Sequence, residues 1–332
     1  MGLRLTIFGK VYAQPIPPIM YLNTTSVLSS WTPDTVTNDG VVLTWQLTGG
    51  KTETKVVDKP TFNLSSNTGT VNMAVSDVSQ LKFFTCNTKN ISLLNLKGAS
   101  ALLNLQILFN QITDLDLSKN NQLAFINVSN NNISSLVFQN HPALSTLISS
   151  TNSLTNLDIS GAPNLKQITC HTNNLTTLNT SNNPNLEAIA CFLNYSLSSI
   201  NLSNNIKLID LNIGRTGIST LDVSMLPYLI FLNIDRTSIT SINLLSNPNL
   251  STLHTYNNGM QSLDLSGNPV LKTLWFYQNS STPANTDSAI IQLESKGQSG
   301  GVLRIRNNRT SASDTAWNNL TSRGYTLQLY ST

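Results

Sequence analysis

The chain has 332 residues, of which 39% are hydrophobic and 11% are charged, and its formal net charge is +3. This length exceeds what one compact core accommodates, so an elongated architecture is expected. The weak positive charge, without long clusters of Lys and Arg, argues against a nucleic-acid partner. No stretch reaches the roughly 18 consecutive apolar residues of a membrane span, so direct membrane insertion is not expected.

Residues 1–18 (MGLRLTIFGKVYAQPIPP) contain a short apolar patch that Lys10 and Pro15 interrupt. They lack the long apolar stretch and the small-residue cleavage site of a secretory leader, so no signal peptide is predicted. Pro15, Pro17 and Pro18 predict a stiff extended segment, which is either a linker or an arm that reaches a neighbouring subunit.

Short strands are predicted before residue 80. The stretches 40–47 (GVVLTWQL), 61–64 and 70–75 alternate or run apolar between Gly, Asn and Pro turns. A small β domain that caps the following repeats is therefore expected over residues 1–79.

From residue 80 the sequence repeats every 21 residues, with one step of 22. Each repeat begins with the pattern Leu-x-x-Leu-x-apolar-x-x-Asn-x-Leu, as in 102–112 (LLNLQILFNQI), and we number positions from its first leucine. The second half, as in 115–121 (LDLSKNN), is a short extended piece followed by turn residues. Ten repeats begin at Leu81, Leu102, Leu123, Leu144, Leu165, Leu186, Leu208, Leu229, Leu250 and Leu271.

These residues resemble the leucine-rich-repeat family over about residues 81–279. The resemblance implies a mainly β solenoid of about ten repeats over residues 80–281, with positions three to seven forming a parallel sheet on one face. One repeat buries too few apolar side chains to offset the entropy of ordering its backbone. Neighbouring repeats must therefore bury each other's edges, and the end repeats need caps.

Position nine predicts a polar row along the solenoid. An inward asparagine satisfies backbone groups at a tight bend, and we expect its amide to pair with one neighbouring coil and its carbonyl with the other. The first repeat has Lys89 there, which predicts an edge coil. The remaining members of the row are Asn110, Asn131, Asn152, Asn173, Asn194, Thr216, Thr237, Asn258 and Asn279.

After residue 279 the repeat pattern stops, and a C-terminal α/β cap is predicted over 282–332. Gly297 and Gly324 are placed to end its two helices. The helices are predicted over 287–296 and 314–323, and the strands over 301–306 and 325–329.

Both flanking regions are similar to segments of Asn-rich repeat proteins from Bacteroidota and from their phages or prophages. Residues 307–327 (NNRTSASDTAWNNLTSRGYTL) resemble the segment that closes such proteins. Residues 60–75 (PTFNLSSNTGTVNMAV) resemble the segment that leads into the first repeat. The resemblance implies a phage or prophage origin.

The three cysteines favour a structural role. Cys86, Cys170 and Cys191 occupy position six, where Ile or Val stands in other repeats, so buried thiols are predicted. Cys170 and Cys191 lie in adjacent coils, at about 4.8 Å if the coils are in register, so distance alone leaves a disulfide open. An odd number of cysteines without Cys-x-x-Cys spacing argues against a metal site.

No catalytic constellation is evident. His141, His171 and His254 are spread along the chain, and the motifs of serine hydrolases, zinc proteases and phosphate-binding loops are missing. The sequence predicts a protein that is not an enzyme and that needs no cofactor. A scaffold role is favoured for four aspartates that share one repeated position, Asp116, Asp158, Asp222 and Asp264.

The outward positions five and seven become aromatic towards the last repeats. We expect His254, Tyr256, Trp275 and Tyr277 to cluster on the strand face with Phe231, which is at position three. Aromatic residues beside small polar ones are typical of a protein-binding hot spot or a sugar-stacking surface. The same residues would also serve simply to cover the edge of the cap.

Two arginines occupy position eight of neighbouring coils. Arg215 and Arg236 lie near Asp235 and Asp210 in the predicted stack. They predict either an internal ion-pair ladder or a site for a phosphate or carboxylate of a partner.

Together these features favour a non-enzymatic binding or structural protein. The resemblance of the flanking segments implies a virion protein on the capsid or tail surface, present in several copies, with other virion proteins or a host surface protein or glycan as partners. A bacterial cell-surface adhesin or interaction module is the alternative. A carbohydrate-active enzyme is a third hypothesis, which the missing motifs disfavour.

Overall fold

A computed structural model describes residues 81–88 and 91–331, together with the backbone of six strands before residue 80. Three of these strands overlap the stretches from which strands were predicted. The proline-rich segment and Lys89 lie outside the described residues. The six strands are β1 (Met20–Thr24), β2 (Ser30–Trp31), β3 (Thr44–Thr48), β4 (Glu53–Val56), β5 (Phe62–Asn63) and β6 (Val71–Ser76).

Four of these strands form an antiparallel sheet with a strand of the first repeat, β8 (Ile91–Asn95). The strand order is β4-β3-β6-β1-β8. At its edge Tyr21 pairs with Asn95 and Leu22 with Leu94. The N-terminal strands are therefore joined by backbone hydrogen bonds to the first coil, and the domain division near residue 80 stays a prediction.

Each of the ten repeats contributes one short strand to a parallel sheet, and two cap strands complete it as a 12-stranded sheet. Strands occupy positions three to five, but Cys86 N–H still donates to Gln106 O at 2.9 Å and Thr88 N–H to Leu108 O at 2.9 Å. The hydrogen-bonded ladder thus continues to position eight. The repeat strands are β7 (Phe83–Thr85), β9 (Asn104–Gln106), β10 (Phe125–Asn127), β12 (Thr146–Ile148), β14 (Gln167–Thr169), β16 (Ala188–Ala190), β18 (Asp210–Asn212), β19 (Phe231–Asn233), β20 (Thr252–His254) and β21 (Thr273–Phe276).

The second halves of four repeats also contain short strands, which form two parallel pairs. They correspond to the second extended piece that was predicted for each repeat. The apolar positions of both halves point inward, so Leu165, Ile168 and Leu175 of one repeat are fully buried. The core is one continuous column along the solenoid. The strand pairs are β11 (Ser135–Val137) with β13 (Asn156–Asp158) and β15 (Thr177–Asn179) with β17 (Ser199–Asn201).

The cysteines are buried, as predicted. Burial raises the pKa of the Cys191 thiol to about 12 and the pKa of Cys170 well above its usual value, so both thiols stay protonated and unreactive. Cys170 and Cys191 form no disulfide. Within the described part of the chain, no three His, Cys, Asp or Glu side chains gather as metal ligands would.

The asparagines of position nine form a hydrogen-bonded ladder. Asn173 Nδ2 donates to Ser149 O in the preceding coil and to Cys170 O in its own coil, both at 3.0 Å. Its Oδ1 accepts from Leu154 N–H at 2.9 Å, again in the preceding coil. The expectation that the amide and the carbonyl reach opposite neighbours is wrong, because the carbonyl of position six and the N–H of position eleven in the preceding coil both face the same asparagine. The same pattern holds for Asn110, Asn131, Asn152, Asn194 and Asn279.

A second buried polar row, not predicted from the sequence, lies 18 or 19 residues after the first leucine of six repeats. In this row Asn183 Nδ2 donates to Ile159 O at 3.0 Å and to Ala162 O at 2.8 Å. His141 takes the same place, with Nε2 3.2 Å from Leu117 O. The fully buried asparagines of this row are Asn120, Asn183, Asn205, Asn247 and Asn268.

The repeated aspartates cap the turns that follow the second extended piece. Asp158 Oδ1 accepts from Ser160 N–H at 3.0 Å, and Asp116 Oδ1 accepts from Ser118 N–H at 3.0 Å. Hydrogen bonds from Ser118 and from Lys97 hold the pKa of Asp116 at about 2. The predicted scaffold role of these carboxylates is confirmed.

Position eight has a left-handed backbone in all ten repeats, with φ between 50° and 58°. This conformation costs a residue other than glycine about 1–2 kcal/mol, so the turn after the sheet ladder imposes it. The residues concerned are Thr88, Phe109, Asn130, Thr151, Thr172, Leu193, Arg215, Arg236, Asn257 and Gln278.

The C-terminal cap consists of α1 (Pro283–Glu294), β22 (Val302–Arg306), α2 (Asp314–Ser322) and β23 (Thr326–Tyr330), with a short 3₁₀ turn before α2. The first helix begins at Pro283, not at 287, because the Thr282 hydroxyl caps it by accepting from Asn285 N–H at 3.3 Å. Gly297 and Gly324 follow the helices with φ of 71° and 75°. Neither helix in the described part of the chain could cross a membrane.

Candidate functional site

The five aromatic residues predicted to cluster do lie together on the strand face. The rings of His254 and Trp275 stack with centroids 3.6 Å apart, and Phe231 meets His254 edge-on at 5.3 Å. Tyr256 and Tyr277 stack at 4.6 Å. His254 aligns with Trp275 because β20 and β21 pair in register, so equivalent side chains are one strand spacing apart. Phe231 is at position three, where its register partner is Thr252, and its ring reaches His254 diagonally.

The cap extends both stacks with residues that were not predicted. The Arg304 guanidinium lies 4.0 Å from the Trp275 ring centroid, and Tyr330 stacks on Tyr277 at 4.0 Å. Arg304 Nε also donates to Gln328 Oε1 at 2.7 Å. Both faces of Trp275 and both faces of Tyr277 are therefore covered by neighbours. These two rings present edges to a partner and offer no open face on which a sugar could stack.

A slot of about 280 Å³ lies on the strand face, on the N-terminal side of this aromatic row. It exists because position seven of the seventh repeat is Gly214, which leaves a gap in the row of position-seven side chains between Phe192 and Asp235. Asp235, at position seven of the next repeat, folds over this glycine, and a methyl group on Gly214 would lie 2.3 Å from Asp235 Oδ1. The slot is lined by Phe192, Leu193, Asn212, Gly214, Arg215, Asn233, Asp235, Tyr256 and Trp275.

The floor of the slot is polar. Asn212 Oδ1 accepts from Gly214 N–H at 3.3 Å, and Asn233 Oδ1 accepts from Asp235 N–H at 2.9 Å. These bonds fix the orientation of both amides and leave the two Nδ2 groups as donors at the slot.

Two polar groups of the slot lack a hydrogen-bond partner. The Asp235 residue is only 5% exposed, and no described residue donates a hydrogen bond to its carboxylate or forms a salt bridge with it. The indole N–H of Trp275 is buried and likewise has no partner among the described residues. A buried donor such as this indole N–H costs about 1–3 kcal/mol when it stays unmatched.

One wall of the slot is an aromatic face. Phe192 stacks on His171 with centroids 4.3 Å apart, so one face of the ring is covered. Its other face borders the slot, since Gly214 has no side chain to cover it. The sequence placed Phe192 at an outward position but not in the predicted site.

The predicted ion-pair ladder of Arg215 and Arg236 is wrong, because neither arginine forms a salt bridge with any carboxylate that the structure describes. The left-handed backbone of position eight directs both side chains towards Tyr256 instead. The Arg236 guanidinium lies 5.6 Å from the Tyr256 ring centroid. The neighbouring Tyr256 side chain and the charge of Asp235 raise the pKa of Arg215.

His254 is neutral at physiological pH. Burial lowers its pKa to about 4; Asp235 opposes this effect and Arg304 adds to it. The folded pKa is thus below the ordinary value of 6.5. The contribution of His254 to stability is complete above pH 6.5 and is lost as pH falls towards 4, because the unfolded chain binds the proton first.

His254→Phe should keep the ring stack and remove this part of the pH dependence. Between about pH 7 and pH 4.5 the variant is expected to lose on the order of 1–2 kcal/mol less stability than the wild type, solvent screening included. Urea unfolding at the two pH values measures this difference. His141 and His171 also have lowered pKa values, but both residues are present in the two proteins, so their contributions to the difference in stability cancel. Equal losses in the two proteins would contradict the assignment.

No family model matches the chain, and no curated protein matches its sequence. Solved leucine-rich-repeat structures do match. The functional domain of InlJ from Listeria monocytogenes has a TM-score of 0.52 and 24% identity, and the match covers 70% of this chain and 55% of that domain. The TLR13–ssRNA13 complex has a TM-score of 0.52 and 16% identity, with 76% of this chain and 44% of that chain covered.

The chain thus spans about half the length of the InlJ domain that it matches. At these identities the likeness concerns the fold. The chain has the leucine-rich-repeat fold, with an aromatic-walled, polar-floored slot on its strand face.

Proposed function

We propose that this chain is a non-enzymatic binding protein that recognises its partner through the slot and the adjoining aromatic row. The observation that carries this proposal is the carboxylate of Asp235: the residue is 5% exposed and lines an open slot, and no described residue donates a hydrogen bond to this carboxylate. A partner that donates to this carboxylate would form a charge-assisted hydrogen bond that the chain itself does not supply. The stacked rings beside it are held rigidly, so binding would order few side chains.

The composition of the slot favours binding over hydrolysis. Glycoside hydrolysis by the common mechanisms needs two carboxyl groups about 5–9.5 Å apart. Asp235 is the carboxylate that lines the slot, and His254 is held between Phe231 and Trp275 with a pKa of about 4. A general base that works at neutral pH has a pKa closer to 7.

We propose further that the protein is displayed in several copies on the capsid or tail of a phage that infects Bacteroidota, and that the partner is on the host surface. The resemblance of residues 60–75 and 307–327 to phage proteins supports this placement. A slot this small gives modest affinity per site, and several copies on one particle raise the overall affinity through avidity. A bacterial cell-surface adhesin is the second candidate, supported by the same repeat resemblance.

Binding of the labelled protein to Bacteroidota cells tests the recognition role. The double variant Trp275→Ala, Tyr277→Ala should bind at least about ten-fold more weakly, because it removes the centre of both ring stacks. Tyr228→Ala is the control, since Tyr228 is 58% exposed and lies outside the slot. Circular dichroism establishes that each variant is folded. Unchanged binding by the folded double variant would refute the role of the aromatic row.

Immunogold labelling of purified phage particles and of uninfected cells tests the placement. Label on the particles is expected. Label on uninfected cells without label on particles would establish the adhesin alternative.

A further inference from the structure

Resting on the proposed function, we propose that the slot binds a single neutral sugar ring of a surface glycan, with Phe192 as the stacking face and Asp235, Asn212 and Asn233 as the hydrogen-bonding floor.

The size of the slot limits what can enter it. Its volume of about 280 Å³ is just below the roughly 300–1,000 Å³ of pockets that hold drug-sized ligands. One ring or one side chain fits, while a longer chain has to continue over the rim.

The donors and acceptors of the floor select the chemical class. Asp235 offers an acceptor, while the Nδ2 groups of Asn212 and Asn233 offer donors. An ammonium group has donors only, so it would satisfy Asp235, leave both amides unmatched and face the charge of Arg215. A carboxylate or phosphate has acceptors only and would face Asp235. Hydroxyl groups both donate and accept, so a neutral ring carrying several hydroxyls matches the whole floor.

The aromatic geometry selects Phe192 as the stacking residue. Trp275 and Tyr277 have both faces covered, whereas Phe192 is covered on one face, by His171. The C–H groups on one side of a pyranose ring are complementary to the electron-rich face of an aromatic ring. A sugar on the open face of Phe192 would also place its hydroxyls over the floor.

Gly214 keeps the slot open. A methyl group at this position would collide with Asp235 Oδ1 at 2.3 Å and would push the carboxylate from its place. The glycine is needed for the position of Asp235 and for the access of a ring to Phe192.

The experiment is a broad glycan array followed by isothermal titration with the methyl glycoside of the best-bound terminal sugar. We expect binding to a neutral glycan, no binding of free glucuronate or N-acetyl-lysine methylamide, and at least a ten-fold weaker affinity in both Phe192→Ala and Asp235→Asn. Asp235→Asn preserves the side-chain size, so its loss of affinity would not come from unfolding. Tyr228→Ala should bind like the wild type. Absence of neutral-glycan binding, or equal affinity in Phe192→Ala, would overturn the proposal.

Cell binding separates this proposal from the proposed function. Mild periodate oxidation of the cells destroys vicinal hydroxyls of surface glycans, and binding of the wild-type protein should then fall at least ten-fold. If binding survives oxidation but is lost in Asp235→Asn, the slot recognises a protein and the sugar proposal fails alone. If the wild type binds no cells before oxidation, the proposed function itself fails.

Discussion

Replacing Asn173 with leucine is expected to lower the free energy of unfolding by about 2 to 4 kcal/mol. Asn173 is 6% exposed and lies in the fifth of the ten coils. Its Oδ1 is the acceptor for Leu154 N–H at 2.9 Å, so leucine leaves a buried donor unpaired. This orphaned group alone costs about 1–3 kcal/mol.

Losing Asn173 costs less at the two backbone carbonyls that it contacts, because each has a second hydrogen-bond donor. Ser149 O also accepts from Asn152 Nδ2 at 3.1 Å, and Cys170 O also accepts from Asn194 Nδ2 at 3.1 Å. Each carbonyl therefore keeps one bond when Asn173 is lost. Because every asparagine serves two coils, the loss also weakens the coupling between the two halves of the solenoid, and thermal unfolding should broaden.

Substitutions of different severity at and beside Asn173 test this prediction. Thr216 and Thr237 occupy the same position naturally, and their hydroxyls donate to the position-six carbonyls of their own coils at 2.8 and 3.0 Å. Asn173→Thr should therefore be less destabilising than Asn173→Leu. Asn174→Ala, at the exposed neighbouring residue, should change stability by less than about 0.5 kcal/mol. Denaturant unfolding of the three variants measures the series, and equal stability of all three would contradict the ladder.

The sequence predicts the solenoid well because buried apolar residues recur at positions one, four, six and eleven of successive repeats. It does not reveal the direction in which the asparagine ladder bonds, because contacts to either neighbouring coil satisfy the same number of groups. It also hides the second asparagine row. Asn120 and Asn183 stand among Ser, Lys and Asn residues (SKNNQ and TSNNPN), a composition that equally describes an exposed turn.

The sequence predicts the aromatic cluster of the candidate site but not the slot beside it. The ring pairs His254–Trp275 and Tyr256–Tyr277 follow from register, since equivalent positions of in-register parallel strands must lie side by side. The slot depends instead on a missing side chain at Gly214 and on the way Asp235 folds over it. The contacts of Arg215 and Arg236 depend on a left-handed backbone that the sequence signals weakly, because position eight never holds glycine and holds asparagine in two of the ten repeats.

Substituting Gly161 with alanine is expected to destabilise the protein by about 3 kcal/mol through overpacking. A methyl group on Gly161 would lie 2.1 Å from Phe138 O and 2.2 Å from the carbonyl carbon of Gln139, both in the preceding coil. These are backbone atoms, so no rotation of a side chain relieves the contact.

The same backbone is hydrogen-bonded at this point, which prevents the coils from separating at little cost. Gly161 N–H donates to Phe138 O at 2.8 Å, and His141 N–H donates to Gly161 O at 2.8 Å. Moving the coils apart to admit the methyl group would stretch both bonds and would disturb the fully buried ring of Phe138 below them. Asn182 is the matched control, since it stands 21 residues later at the same position of the next repeat and is exposed. Asn182→Ala should be neutral within about 0.5 kcal/mol in denaturant unfolding, and a Gly161→Ala variant as stable as this control would mean that the two coils do not approach each other this closely.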